Sequence, residues 1–372
     1  MYPTKKLPQI LTKDDFSIWK IKTQDYLSEG NFAIVDQWKS LIGGYSNEKS
    51  LVYTGRLPVI VYGDHTNVVK YMDFPFIWWA DGIKVFSFQK DVDTKYAFYL
   101  LEHFKPETQW YRRHYSLLKD VDLPLPPLST QSKIVAKLDE AFSNIDRQIS
   151  LLKANIDDVE RVRKSILSEL FSGNYQIKKL QEVCEKITDW THQTPTYFNS
   201  GYIFLSSKNV TSGKIDWNNI KYIDERQHQE MYKRVAPRKW DILLAKNGTT
   251  WVAAIVDRNE IFDIYVSLAL IRPKDEIISE YLLYFINSSE AKRQFNSRLK
   301  WVWVPNLHLW EIKEVEIPLP PLPRQHEIVE HLDRVFAQTA ELRLSYEAQI
   351  RDLETLRQSL LEEAFSGRLV GE

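Results

Sequence analysis

LPLPPLSTQSKIVAKLDEAFSNIDRQISLLKANIDDVERVRKSILSELFSG, residues 123–173, returns 194 positions later as IPLPPLPRQHEIVEHLDRVFAQTAELRLSYEAQIRDLETLRQSLLEEAFSG, residues 317–367. The copies align without a gap and share about 22 of 51 positions. A repeat of this length sets the organisation of the whole chain. Each copy opens on a proline run, Pro124, Pro126, Pro127 and Pro318, Pro320, Pro321. Proline lacks the N–H and clashes with the preceding turn, so neither run can lie inside a helix. Beyond it, apolar residues recur at steps of three and four. The first copy gives Ile134, Leu138, Phe142, Ile145, Ile149, Leu152, Ile156, Val159, Ile166 and Leu170; the second gives Ile328, Leu332, Phe336, Leu342, Tyr346, Ile350, Leu353, Leu360 and Ala364. That spacing predicts a coiled-coil seam. Gly173 and Gly367 stand where a left-handed residue would close each helix.

A helix of ~40 residues is ~60 Å long and cannot bury such a stripe alone. The expectation is that the two helices pair with each other. Antiparallel pairing is favoured because each helix follows an equivalent block of chain, which would make a pseudo-twofold molecule.

The blocks themselves, residues 1–122 and 174–316, read as mixed α/β and turn-rich, so the fold class is α+β. Strands are predicted at Leu57–Tyr62, Lys84–Phe88, Ile203–Leu205, Asp241–Ala245, Val252–Val256 and Tyr265–Ile271. Short helices are predicted at Thr94–Leu101 and Ser279–Asn287. Between them, loops at Gly63–Asn67, Ile77–Gly82, Arg112–His114, Thr188–Pro195, Lys208–Asn209, Lys246–Thr250 and Pro305–His308 mix donors with aromatics, as a base-reading surface needs.

Composition narrows the classes. The chain has 372 residues, enough for two or three domains. Its one cysteine, Cys184, excludes an internal disulfide and leaves a Cys-based zinc site short of ligands. No apolar run is long enough to span a membrane, and the first residues lack an apolar signal core, so a cytoplasmic location is expected. The formal net charge of −1 argues mildly against nucleic acid as a partner. Residues 1–122 carry 16 basic and 15 acidic side chains, residues 174–316 carry 20 and 18, and residues 317–372 carry 6 and 10. Any DNA binding must therefore rest on local patches.

The tandem PLPPL…Q…IV…LD…F helices, each after a dissimilar block, resemble the specificity subunits of Type I restriction-modification systems. Lys239-Trp240-Asp241-Ile242-Leu243-Leu244 and Asn247-Gly248-Thr249-Thr250 are similar to phrases in that family's target recognition domains. The likeness covers the whole chain. It implies target recognition domains at 1–122 and 174–316, a central conserved helix at 123–173 and a C-terminal one at 317–372. It also implies that each recognition domain reads one half of a split target in double-stranded DNA, while the helix pair sets the spacer and docks two methyltransferase subunits. Motor-nuclease subunits would join them. The chain itself would be no enzyme and would hold no cofactor. It has no phosphate-binding loop, no adenine-methylation motif and no metal-ligand spacing.

Candidate contacts follow from residue chemistry. Asn209, Asn247, Asn306 and Gln193 carry amides able to read a base edge. Lys208 and Lys246 suit phosphate or guanine. Thr191, His192, Thr249 and His308 share the same loops. Lys233, Arg234, Arg238 and Lys239 form the densest basic cluster, suited to phosphates. In the first block the candidates are His65, Arg112, Arg113 and His114. Each of these has an ordinary alternative as a solvated turn or a structural histidine. Two rival functions stand beside this reading. One is a coiled-coil scaffold whose blocks bind protein. The other is a nuclease centre, for which Asp241 with Lys246 is a thin hint.

Tryptophan is the anomaly. There are 12, and several occupy positions that resemble family glycines: Trp190, Trp240, Trp251, Trp301 and Trp303, with Trp38, Trp79 and Trp110 possible companions. Three explanations stay open: stacking on bases, ordinary packing, or a UGA codon that the cell of origin reads as glycine.

Overall fold

The computed structural model describes residues 2–12, 23–78, 82–107, 113–190, 195–210, 213–247, 251–298 and 307–370. It divides into two compact units, Met1–Lys153 with Glu347–Glu372, and Ala154–Tyr346.

In the first unit β1 (Thr4–Lys6) runs into α1 (Leu7–Ile10), followed by β2 (Phe32–Val35), β3 (Gly44–Ser46), β4 (Val59–Gly63), β5 (Val69–Met72), β6 (Phe76–Trp78) and β7 (Ile83–Phe86). Then come α2 (Thr94–Phe104), α3 (Tyr115–Leu118), β8 (Asp122–Pro124) and the long α4 (Leu128–Phe171). Strand β4 is an unbroken apolar run buried along its length, and it sits between antiparallel neighbours β5 and β7. A second sheet has β2 between β3 and β6. Helix α2 starts where the Asp93 carboxylate accepts the N–H groups of Lys95 and Tyr96, and it buries Tyr96, Ala97, Leu100 and Leu101. Ile77, expected to open a loop, lies instead in the buried strand β6.

The second unit repeats the plan. It holds β9 (Gln176–Lys179), α5 (Leu180–Val183), β10 (Cys184–Thr188), β11 (Tyr202–Leu205), β12 (Lys221–Ile223), α6 (Glu225–Tyr232), β13 (Ile242–Ala245), β14 (Ala253–Ile255), β15 (Phe262–Ile264) and β16 (Leu268–Pro273). After these come α7 (Ser279–Asn287), α8 (Ser289–Arg298), α9 (Leu309–Lys313), β17 (Glu316–Leu319) and the long α10 (Leu322–Ser366). Strand β13 lies between β14 and β16, as β4 lies between β5 and β7. The β9–β17 pair matches β1–β8. The sheet β12-β11-β15 supports α6.

The duplicated helices are mounted by the same atoms. A proline run leaves carbonyls that no helix can satisfy. Pro124 O accepts the Tyr96 hydroxyl at 2.8 Å, and Pro318 O accepts that of Tyr281 at 2.7 Å. Gln131, fully buried, accepts the N–H of Asp93 and donates to Asp91 O and Pro126 O. Gln325, also fully buried, accepts the N–H of Ile278 and donates to Glu276 O and Pro320 O. One side chain thus ties the start of each long helix to the start of its block's own helix.

Within each unit the long helices lie antiparallel. In the first, Lys137 donates to Leu369 O at 2.8 Å and Asp146 pairs with Arg357 at 2.9 Å, while Ile134, Leu138 and Phe142 share a core with Leu361, Ala364 and Phe365. In the second, Glu160 pairs with Arg343 at 3.2 Å, and Leu167 and Phe171 share a core with Ile328, Val329 and Leu332. The seam is incomplete. Leu342, expected within it, is 42% exposed beside Arg343, which makes the cross-helix ion pair instead. Gly367 takes φ +87° and closes α10 as expected. Gly173 does not take a left-handed φ: α4 ends with Ser172 N–H on Glu169 O, and a Cβ at 173 would fall 2.2 Å from the Tyr175 ring. The Tyr175 ring lies against this glycine, which does not serve as a left-handed closure. Among the described residues no helix is long and apolar enough to cross a membrane.

Candidate nucleic-acid interface

In the second unit the basic cluster is built by α6 and the turn after it. Asp224 caps α6 by accepting the Gln227 N–H at 2.8 Å. His228 pins the helix to its sheet. Its Nδ1 lies 2.6 Å from the Asp263 carboxylate on β15, and its ring stacks on Tyr202 with 3.8 Å between centres. Burial pushes the Asp263 carboxyl up to about 6, outweighing the His228 hydrogen bond and charge that pull it down. Met231 and Val235 are buried, so Lys233 and Arg234 are turned outward, and Arg238 and Lys239 are exposed beyond them. Lys186 donates to the carbonyls of Arg234 and Val235. Its ammonium is held below the usual lysine range, by burial first and then by the Arg272 and Arg238 guanidiniums. Four exposed cations on a pinned segment can hold phosphates.

Other predicted residues are placed differently. Lys246 is 4% exposed, and its Nζ is paired with the Asp189 carboxylate. Its charge is compensated inside the unit and is not offered to solvent, a correction to its expected role as an open contact. Asn209 is buried and organises its own loop: Oδ1 accepts the Ser206 N–H, and Nδ2 donates to Asp216 O and Asn219 O. Lys208 beside it is exposed. Asn247 is half-buried, with an Oδ1 that has no hydrogen-bond partner among the described residues. His308 is exposed and caps α9, its N–H donating to Glu311. Thr191, His192, Gln193, Thr249 and Asn306 lie outside the described residues, as do Trp79, Trp110, Trp301 and Trp303. Asp241 is committed as well. It is buried, receives two hydrogen bonds from Arg272 at 2.7 and 2.8 Å, and accepts the Arg238 N–H. The Asp241–Lys246 hint of a nuclease centre therefore dissolves into two separate structural ion pairs.

The first unit places its candidates at the matching strand end. Asp64 N–H donates to Gly82 O and Asp64 O accepts His114 N–H, just as Lys246 N–H donates to Ser267 O and Lys246 O accepts Leu307 N–H. His65 and Asn247 are therefore equivalent positions. His65 is exposed. His114 is buried, with its Nδ1 on Asp64 O at 2.9 Å, which makes it a structural histidine. Arg113 is exposed and Arg112 lies outside the described residues. Gly82, at φ +76°, brings Gln37 and His65 together, since a Cβ there would meet both at 2.8 Å. Gln37 was not anticipated; its Oε1 is buried without a partner among the described residues. Its only signal in the sequence is an amide next to Asp36. Lys70 was also missed. It is buried against Asp36 and donates to Asp36 O at 2.7 Å, and burial lowers its ammonium pKa.

Two blocks of one strand plan, each tied by the same bonds to its copy of a duplicated long helix, define the class of protein. The family model for the Type I restriction modification DNA specificity domain matches residues 3–161 and 172–350, and the chain belongs to that family. It is similar to the EcoBI specificity subunit of Escherichia coli, 25% identical over 284 residues, covering 68% of this chain and 60% of that one. It thus spans about three-fifths of that relative's length. The EcoR124I/EcoR124II specificity subunit of Escherichia coli is 24% identical over 345 residues, covering 84% and 81%. The relatives are named as specificity subunits, a non-catalytic role. The fold is shared with a chain solved in work on complex assembly and conformational transition of the type I R-M system, at a TM-score of 0.76, 18% identity and coverage of 99% and 98%. It is shared more loosely with the HsdS subunit from Thermoanaerobacter tengcongensis, at a TM-score of 0.54, 19% identity and coverage of 99% and 97%.

Proposed function

We propose that this chain reads a split target in double-stranded DNA, one half through residues 1–122 and the other through residues 174–316. The helices 123–173 and 317–372 act as the frame that fixes the gap. The observation that carries this reading is the contrast between mount and head. The mounting residues Gln131 and Gln325, and Tyr96 and Tyr281, make equivalent bonds in the two units. The presenting residues differ: His65 where the other unit has Asn247, and His114 where it has Leu307. A constant frame with divergent surfaces suits two different half-targets.

On this reading Lys233, Arg234, Arg238, Lys239 and Lys208 contact phosphates, and His65, Arg113, Asn247 and His308 lie toward bases. The helix frame docks two methyltransferase subunits, and motor-nuclease subunits join that assembly. Exposed leucines on the frame favour such partners. Leu151 and Leu356, 59% and 47% exposed, line a groove of about 470 Å³ on the helix pair of the first unit.

The test is the salt dependence of duplex DNA binding by the chain assembled with its methyltransferase partner. Phosphate contacts release counterions, so log affinity should fall linearly with log salt. Absence of DNA binding by the assembled complex would favour the protein-scaffold reading.

A further inference from the structure

Residues Arg238 to Asp241 form a tight turn closed by the Asp241 N–H on Arg238 O at 3.1 Å. Trp240 is its third residue, at φ +75°. A type II turn needs about +80° at that place, and glycine supplies it because no Cβ meets the neighbouring carbonyl. The surroundings impose this φ. Trp240 N–H donates to Val256 O at 2.9 Å, and Trp240 O accepts the Ser279 hydroxyl at 2.8 Å. The Asp241 carboxylate, itself clamped by Arg272, holds the Arg238 N–H. The indole gains little in return: it is 51% exposed, with the Lys239 ammonium 5.2 Å from its ring.

Trp217 shows what a used tryptophan looks like. It is buried, donates Nε1–H to Asp257 at 2.9 Å, meets Phe262 edge-on and carries Arg258 on its face. Trp251 shares the backbone problem of Trp240, at φ +46°. Gly63 N–H on Val68 O matches Ala245 N–H on Val252 O, so the equivalent of Trp251 in the first unit is Asn67, at φ +58°. Asparagine is the side chain that visits this region most readily after glycine. Trp251 is buried and its Nε1–H reaches Asn296, so there the backbone alone speaks for a small residue. Composition agrees. Twelve glycines in 372 residues fall well short of the roughly 26 that ordinary usage of about 7% predicts.

We propose that positions 240 and 251 are glycine in the protein its own cell makes, because a UGA codon there is read as glycine rather than tryptophan. The gene and the mass of the corresponding peptides from protein purified out of that cell decide it. UGA codons and glycine masses at 240 and 251, with UGG at 217, are expected. UGG or a tryptophan mass at 240 or 251 overturns the proposal. The turn argument has its own readout in recombinant full-length protein. Trp240→Gly should raise the melting midpoint by about 2–4 °C, and Trp240→Ala, which keeps a Cβ, should fall short of it. A Trp240→Gly midpoint at or below that of Trp240→Ala would count against a backbone that demands glycine.

Discussion

The Arg163 guanidinium lies over the Phe336 ring, 4.4 Å from its centre, and the same pair recurs with the helices exchanged as Arg357 over Phe142 at 4.5 Å. Each Phe is met edge-on by a tyrosine from its block, Tyr284 on Phe336 and Tyr99 on Phe142. Each tyrosine hydroxyl donates to an aspartate one turn before the Phe, Tyr284 to Asp333 at 2.5 Å and Tyr99 to Asp139. Burial and that acceptor raise both tyrosine pKa values. One node therefore joins both helices and the block in each unit. Arg163→Met and Arg357→Met should each lose the cation–π attraction together with an ion pair, Arg163 to Glu160 at 3.5 Å and Arg357 to Asp146 at 2.9 Å, costing about 1–2 kcal/mol in thermal unfolding. Unchanged melting in both variants would remove the node from the account.

The glutamine mounts should matter more. Gln325→Leu leaves the Ile278 N–H and two buried carbonyls without their partner. Each orphaned buried group costs on the order of 1 kcal/mol or more, so a loss of about 2–4 kcal/mol is expected by chemical denaturation. Gln131→Leu should cost a similar amount. A loss within about 0.5 kcal/mol, the range of an ordinary surface substitution, would contradict the mounting role.

Asp263 gives a pH prediction. Its folded pKa, about 6, lies above the ordinary 3.8, so the folded chain holds a proton that the unfolded chain releases. The contribution of this group to stability is fully present below about pH 4 and is lost as pH rises through about 6. Melting followed from pH 4 to 7 should show this downward contribution, and Asp263→Asn should flatten it. An identical pH profile in the variant would exclude Asp263 as its source.

The frame was legible in the sequence and much of the site was not. Periodicity and the proline runs mark both long helices because they are local signals, and Gly367 marks the end of α10, whereas Gly173 does not close α4 in the expected conformation. Strands β4, β13 and β16 were legible as apolar runs. Strand β6 was missed because Phe76–Trp78 is too short to show a period. Lys246 read as an available cation because its partner Asp189 is 57 residues away, and no local pattern reports a distant ion pair. His114 is misread for the same reason, since its bond goes to the Asp64 carbonyl 50 residues away, whereas Asn209 is spent within its own loop on Ser206, Asp216 and Asn219. The run Lys233 to Lys239 was legible because charge density is local, and a pinned α6 leaves it outside.

That run yields a binding prediction. Lys233→Ala with Arg234→Ala should weaken DNA binding by the assembled complex evenly across sequences and flatten the log affinity–log salt slope by about 2, one unit for each lost phosphate contact. His65→Ala or Asn247→Ala should instead relax discrimination at one half of the target and leave the slope nearly unchanged. If all four substitutions altered the slope alike, the division into positioning and reading residues would be wrong.

The most direct test is single-molecule sequencing of methylated bases in cells that make this chain together with its methyltransferase partner. Two defined sequence elements separated by a fixed unread gap, present only when the chain is present, are the predicted result. A continuous motif without a gap, or methylation that does not depend on this chain, would contradict the account.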